Sequence, residues 1–89
     1  MEELKGIYKK KENRLEVYYK NELIVDEKVL ENEEYWVHGI IEDNVADFNL
    51  WKESEDKFNL TIYPNVIVDD SGYYSTDTYH YEPVDLIII

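Results

Sequence analysis

Eighty-nine residues without a cysteine leave room for one domain, 1–89, and exclude both disulfide staples and thiolate chemistry. Twenty-one acids against nine bases give a net charge of −12, which repels nucleic acid and suits either a basic partner or solubility alone. With 44% apolar and 15% aromatic residues the chain still has the material for a core, so wholesale disorder is not expected.

The start, Met1-Glu2-Glu3-Leu4-Lys5, has no apolar targeting segment. The longest strongly apolar run, Leu86-Ile87-Ile88-Ile89, is far too short to span a bilayer. A soluble, cytoplasmic protein with no membrane partner is expected. Leu4 to Lys10 reads as a first strand, closed by a turn at Lys11-Glu12-Asn13, where Asn tolerates left-handed geometry. Arg14 to Lys20 alternates, with Leu15, Val17 and Tyr19 on one side and Glu16, Tyr18 and Lys20 on the other, the period of a half-buried strand. A tight turn at Lys20-Asn21-Glu22 leads into a third strand, Leu23 to Leu30.

Glu31-Asn32-Glu33-Glu34 is too acidic to pack and reads as a solvated turn. Tyr35 to Glu42 sets Tyr35, Val37 and Ile41 against Trp36, His38 and Ile40, and Gly39 inside it marks a bulge or a close backbone approach. Residues 43–52 fit two periods. Val45, Phe48 and Trp51 suit a short helix capped by Asp43 or Asn44, whereas Ala46, Phe48 and Leu50 suit a strand; a hairpin is favoured. After a turn at Glu53-Ser54-Glu55-Asp56, Lys57 to Tyr63 is a strand with Phe58, Leu60 and Ile62 on one side. Pro64-Asn65 ends it, because proline lacks the donor a ladder needs. Val66 to Val68 is a short strand. Val84 to Ile89, almost continuously β-branched, suggests burial on both faces or a central place in the sheet. The expected fold is all-β, or β-dominated α+β: a small antiparallel barrel or sandwich built from a meander of about seven strands, with at most one or two short helices.

Between the last two strands lies Asp69 to Glu82, which holds four acids and four tyrosines and no Lys or Arg. Tyrosine offers large contact area at low entropic cost, and Ser, Thr and Asp offer adaptable hydrogen bonds, so this stretch has the composition of a binding surface. The competing reading is a hairpin whose tyrosines pack across strands, and the alternation in Tyr79-His80-Tyr81 favours it for part of the loop. Trp36 and Trp51 are read as core, and Tyr19 and Tyr35 as core or half-buried.

The charge is lopsided. Residues 1–30 carry seven bases and seven acids; residues 31–57 carry two bases and nine acids, net −7; residues 58–89 carry five acids and no base, net −5. A compact chain of this length is roughly 30 Å across. Duplex DNA carries about 18 charges over that distance, so twelve net negatives come within a factor of two of its density. Candidate partner-binding residues are therefore Asp69, Asp70, Tyr73, Tyr74, Asp77, Tyr79, Tyr81 and Glu82 of the loop, with Glu31, Glu33, Glu34, Glu53, Glu55 and Asp56 of the acidic middle.

No constellation carries catalysis, and no catalytic residue, metal ligand or cofactor is expected. His38 and His80 stand 42 positions apart without a motif. Asp69-Asp70-Ser71-Gly72 begins like a calcium loop, but its glycine comes two positions early and His80 stands where the final Glu belongs. Ser54, Ser71 and Ser75 have no nucleophile motif around them. Lys9-Lys10-Lys11 beside Glu12 reads as a solvated hairpin end.

In size, charge and aromatic content, though in no motif, the chain resembles the small acidic DNA mimics that phages make against host nucleases, repair glycosylases, restriction enzymes and CRISPR effectors. That resemblance implies a non-enzymatic inhibitor that occludes the nucleic-acid-binding surface of a basic protein, with no direct contact to nucleic acid. An immunity protein against a basic toxin, a structural or assembly module whose charge serves solubility only, and a small-ligand barrel are the alternatives. The last would need an open interior, where the many large side chains suggest a filled one.

Overall fold

The period-two runs become strands in a computed structural model, which describes residues 3–29, 34–72, 74–76 and 79–89, and of Tyr74 and Thr76 the backbone alone. The strands are β1 (Leu4–Lys9), β2 (Arg14–Tyr19), β3 (Glu22–Lys28), β4 (Glu34–Ile41), β5 (Asn44–Ser54), β6 (Lys57–Tyr63), β7 (Val66–Val68), β8 (Tyr74–Thr76) and β9 (Glu82–Ile88). Among the described residues there is no helix, and so none long and apolar enough to cross a membrane.

Seven strands make one sheet in the order β3-β2-β1-β9-β6-β5-β4, and β7 and β8 make a separate two-stranded ribbon. The large sheet curls until β4 stands beside β3, an almost closed barrel. No ladder joins these two edges among the described residues; side chains do, through the Tyr35 hydroxyl, which donates to Glu27 Oε2 at 3.2 Å. Every ladder is antiparallel except β1 with β9, which run parallel from Lys5 opposite Asp85 to Tyr8 opposite Ile88. The expected all-β meander is present. The parallel pair is the departure, and it arises because the last strand returns to fill the gap between the first and the sixth.

Two-residue turns make three of the hairpins. Lys20-Asn21 and Glu42-Asp43 have positive φ at both positions, 49° and 66°, then 48° and 68°. That geometry matches the twist of the flanking strands. The tight turn at Glu42-Asp43 decides the ambiguous region: Asn44 is already paired with Ile41, so 44–54 runs out as a strand and Ala46, Phe48 and Leu50 face inward.

The interior is filled by Leu4, Tyr8, Leu15, Val17, Val37, Phe48, Leu50, Leu60, Ile62 and Val84 among others. Burying each large aliphatic or aromatic side chain stabilises the fold by about 1.5–3 kcal/mol. Gly39 is where close approach matters most. A Cβ there would lie 2.8 Å from Phe48 Cε2 and 3.0 Å from Val25 Cγ2, so its absence lets β4 come up against both the core and β3.

Two expectations need correction. Trp36 and Trp51 are not core; both are exposed, because each stands on the outward parity of its strand and the narrow interior is already occupied by Phe48 and its neighbours. Strand β9 is central but not buried on both faces. Val84 points inward while Ile87 and Ile89 lie exposed, since a barrel wall has only one inner face.

Candidate functional site

The outward faces of β4, β5 and β6 carry the least ordinary surface of the molecule. On β4, Glu34, Trp36, His38 and Ile40 all point out. Opposite them on β5 stand Trp51, Asn49, Asp47 and Val45 in register. Tyr63 of β6 is opposite Asp47. The rings of Trp36 and Tyr63 meet across the intervening β5, centroids 5.1 Å apart and tilted by 44°. Tyr63 in turn meets Tyr81 at 5.5 Å and 36°. Three aromatic rings thus form a diagonal strip from the β4 edge to the chain entering β9.

The strip explains two buried polar residues. Asp47 and Asn49 lie on the outer face yet are only 7% and 5% exposed, because Trp36 and Tyr63 meet over them. Buried polar groups require partners. Asp47 pairs with His38 Nδ1. Asn49 Nδ2 donates to Glu34 Oε1 at 2.9 Å and so orients that carboxylate at one end of the strip. Burial, with smaller contributions from Tyr81 and Glu34, pushes the Tyr63 phenol above its ordinary range, so it stays neutral.

The sequence-derived candidates divide between the two ends of the barrel. Glu53, Glu55 and Asp56 sit at the β5–β6 turn, and each is engaged by a lysine: Lys57 to Glu53 at 3.0 Å, Lys52 to Glu55 at 3.1 Å, Lys10 to Asp56 at 3.1 Å. The hydrogen bonds from Lys57 and Asn59 hold the Glu53 carboxyl below its usual value. Asp69, Asp70, Tyr79, Tyr81 and Glu82 gather at the opposite end, about 20 Å away along β6. There Asp69 serves its own turn, its Oδ1 accepting from the Ser71 amide at 2.9 Å and the Ser71 hydroxyl at 2.6 Å. Asp70 and Glu82 are exposed, and Tyr79 is 90% exposed. Tyr74 lies in β8, so the hairpin reading holds for the backbone of that segment. Glu31, Glu33, Tyr73 and Asp77 lie outside the described residues.

The structure therefore puts Tyr81 and Glu82 side by side where the chain enters β9, places Glu34 on β4 opposite Trp51, and gathers Glu53, Glu55 and Asp56 at the β5–β6 turn. Sequence reasoning missed Trp36, Tyr63, His38, Asp47 and Asn49. The parity of Trp36, on the same side as His38 and Ile40, was the one available signal.

A cleft of about 670 Å³ lies between the β4–β5 turn and β7, lined by Glu42, Asp43, Asn44, Pro64 and Val66 among others. Among the described residues no three His, Asp or Glu side chains gather as metal ligands. No protein-family model, curated protein or solved structure matches this chain.

Proposed function

We propose that this protein is a small acidic binding protein without catalytic activity, which occludes the nucleic-acid-binding surface of a basic protein in the manner of phage-made DNA mimics. The observation that carries the reading is where the charge goes. Among the described residues six Lys or Arg side chains, Lys9, Lys10, Arg14, Lys20, Lys52 and Lys57, each hold a carboxylate. No base occurs in 29–51 or after Lys57, the segments that build the aromatic strip and the loop above it. Exposed aromatics with carboxylates around them suit a protein partner, where Tyr, Trp and Arg dominate the binding energy and rim charges tune the rate of encounter.

The test captures partners from a bacterial lysate on the immobilised chain at about 50 mM salt and elutes them at about 200 mM, a range over which phosphate-type contacts weaken strongly. The captured protein is then assayed for nucleic-acid binding with and without this chain. Loss of that binding in proportion to added protein is the expected result. Capture that ignores salt, or a captured protein whose nucleic-acid affinity is unchanged, favours the structural-module alternative instead.

A further inference from the structure

We propose that Trp36, Tyr63 and Tyr81, with Glu34 at one end, form a docking strip for an arginine side chain of the partner, and that the strip selects arginine over lysine. The inference rests on the acidic-binder reading and names the chemistry that its surface takes.

Three features point to a guanidinium. First, Trp36 is 45% and Tyr81 59% exposed although both touch Tyr63, so ring faces and edges remain open to a ligand. The tilts of 44° and 36° make a stepped surface rather than a closed stack. A guanidinium is planar and weakly hydrated, and it gains by lying on such rings; an ammonium is compact and keeps its water. Second, Glu34 is positioned by buried Asn49 through Oε1, which leaves Oε2 to accept an N–H from the same guanidinium. A carboxylate oriented in advance loses less entropy on binding. Third, the segments that build the strip carry no Lys or Arg of their own. Among the described residues Lys20 lies over the Tyr19 ring at 5.2 Å, at the β2–β3 turn.

Two peptides test this, one with six arginines spaced by glycine and one with six lysines in the same places. Titration into the Trp51→Phe protein leaves Trp36 as the fluorescent reporter. The arginine peptide is expected to bind about tenfold more tightly at equal salt. Trp36→Leu, read by peptide NMR, and separately Tyr81→Ala should bring the ratio close to one while the lysine peptide binds as before. Tyr81 precedes β9, so its replacement tests the strip without touching a strand. Equal binding of both peptides, weakening with salt, overturns the arginine strip and leaves the acidic-binder reading standing. A preference that survives both substitutions places the selectivity elsewhere and also overturns it. No binding of either peptide at low salt removes both readings together.

Discussion

The outer faces of β1–β3 and of β4–β6 belong to one barrel and treat charge in opposite ways. On the first, Lys9 meets Glu16 at 3.2 Å, Tyr18 donates to the other oxygen of Glu16, and Arg14 meets Asp26 at 2.6 Å. Hydrogen bonds to those carboxylates push Lys9 and Arg14 above their ordinary values, so both cations are committed within the wall. On the second, aromatic rings hold the middle of the face, the lysines Lys52 and Lys57 are confined to the β5–β6 turn end, and Glu34 at the β4 end of the strip is exposed. A wall whose charges are already paired has little to offer a partner. A face with exposed rings and a carboxylate held by an amide rather than a cation offers both contact area and field. The proposed working surface follows from that contrast rather than from acidity alone.

The two faces differ in chemistry but share a core, and the largest effect expected is the loss of that core. Phe48 is fully buried on β5 and reaches the Gly39 gap that faces Val25 of β3. Phe48→Ala should lower stability by about 3–5 kcal/mol. Both tryptophans lie in the second half, so fluorescence follows that half, while far-ultraviolet circular dichroism follows every strand. The two denaturation curves should coincide in the wild type and shift together in the variant. Separate transitions would make the halves independent units, and the contrast would then be between two small folds rather than two faces of one.

What the sequence showed, and what it hid, follows the same division. Alternation placed Leu15, Val17 and Tyr19 inward and Trp36, His38 and Ile40 opposite Val37 and Ile41, because parity along a strand is a local property. Assigning Trp36 to the core let residue type override that parity. The strip itself draws on β4, β6 and residue 81, which only the sheet order brings together, so no local pattern announces it. The burial of Asp47 and Asn49 was hidden for the same reason: their cover comes from neighbouring strands. The parallel β1–β9 pair joins residues about eighty positions apart with no hairpin to suggest the register.

A second prediction sharpens the contrast by moving equal charge on either side of it. Asp70→Lys with Glu82→Lys changes the net charge by as much as Glu12→Lys with Glu22→Lys, so any difference reports location. All four positions are exposed. The first pair should slow association with the captured partner several-fold at low salt, and the second should leave it close to wild type, because steering acts over a screening length of about 8 Å at 0.15 M. Stopped-flow association rates read this directly. Equal slowing by both pairs would mean that net charge, and not the placement of acid on one half, governs encounter.

The smallest effect concerns one place where the halves are tied by charge, as they also are at Lys10 and Asp56. Glu42, in the β4–β5 turn, accepts from the Tyr19 hydroxyl at 2.9 Å and from Lys20 at 3.2 Å, both belonging to the first half. The Tyr19 hydrogen bond first, and then Lys20, hold the Glu42 carboxyl below its ordinary value. A carboxyl whose folded value is depressed contributes stability that is fully present above its unfolded value, about 4.3, and that is lost as pH falls through the lower folded value. Glu42→Gln removes the charge but keeps the shape. It should therefore melt slightly below the wild type near neutral pH, by much less than Phe48→Ala because the pair is exposed and screened by water. That gap should close as pH drops well below 4, even while protonation relieves repulsion among the other acids in both proteins alike. Thermal melts of the two proteins at neutral and strongly acidic pH provide the measurement. A gap that stays constant with pH would show that Glu42 joins the halves through its shape and not through its charge.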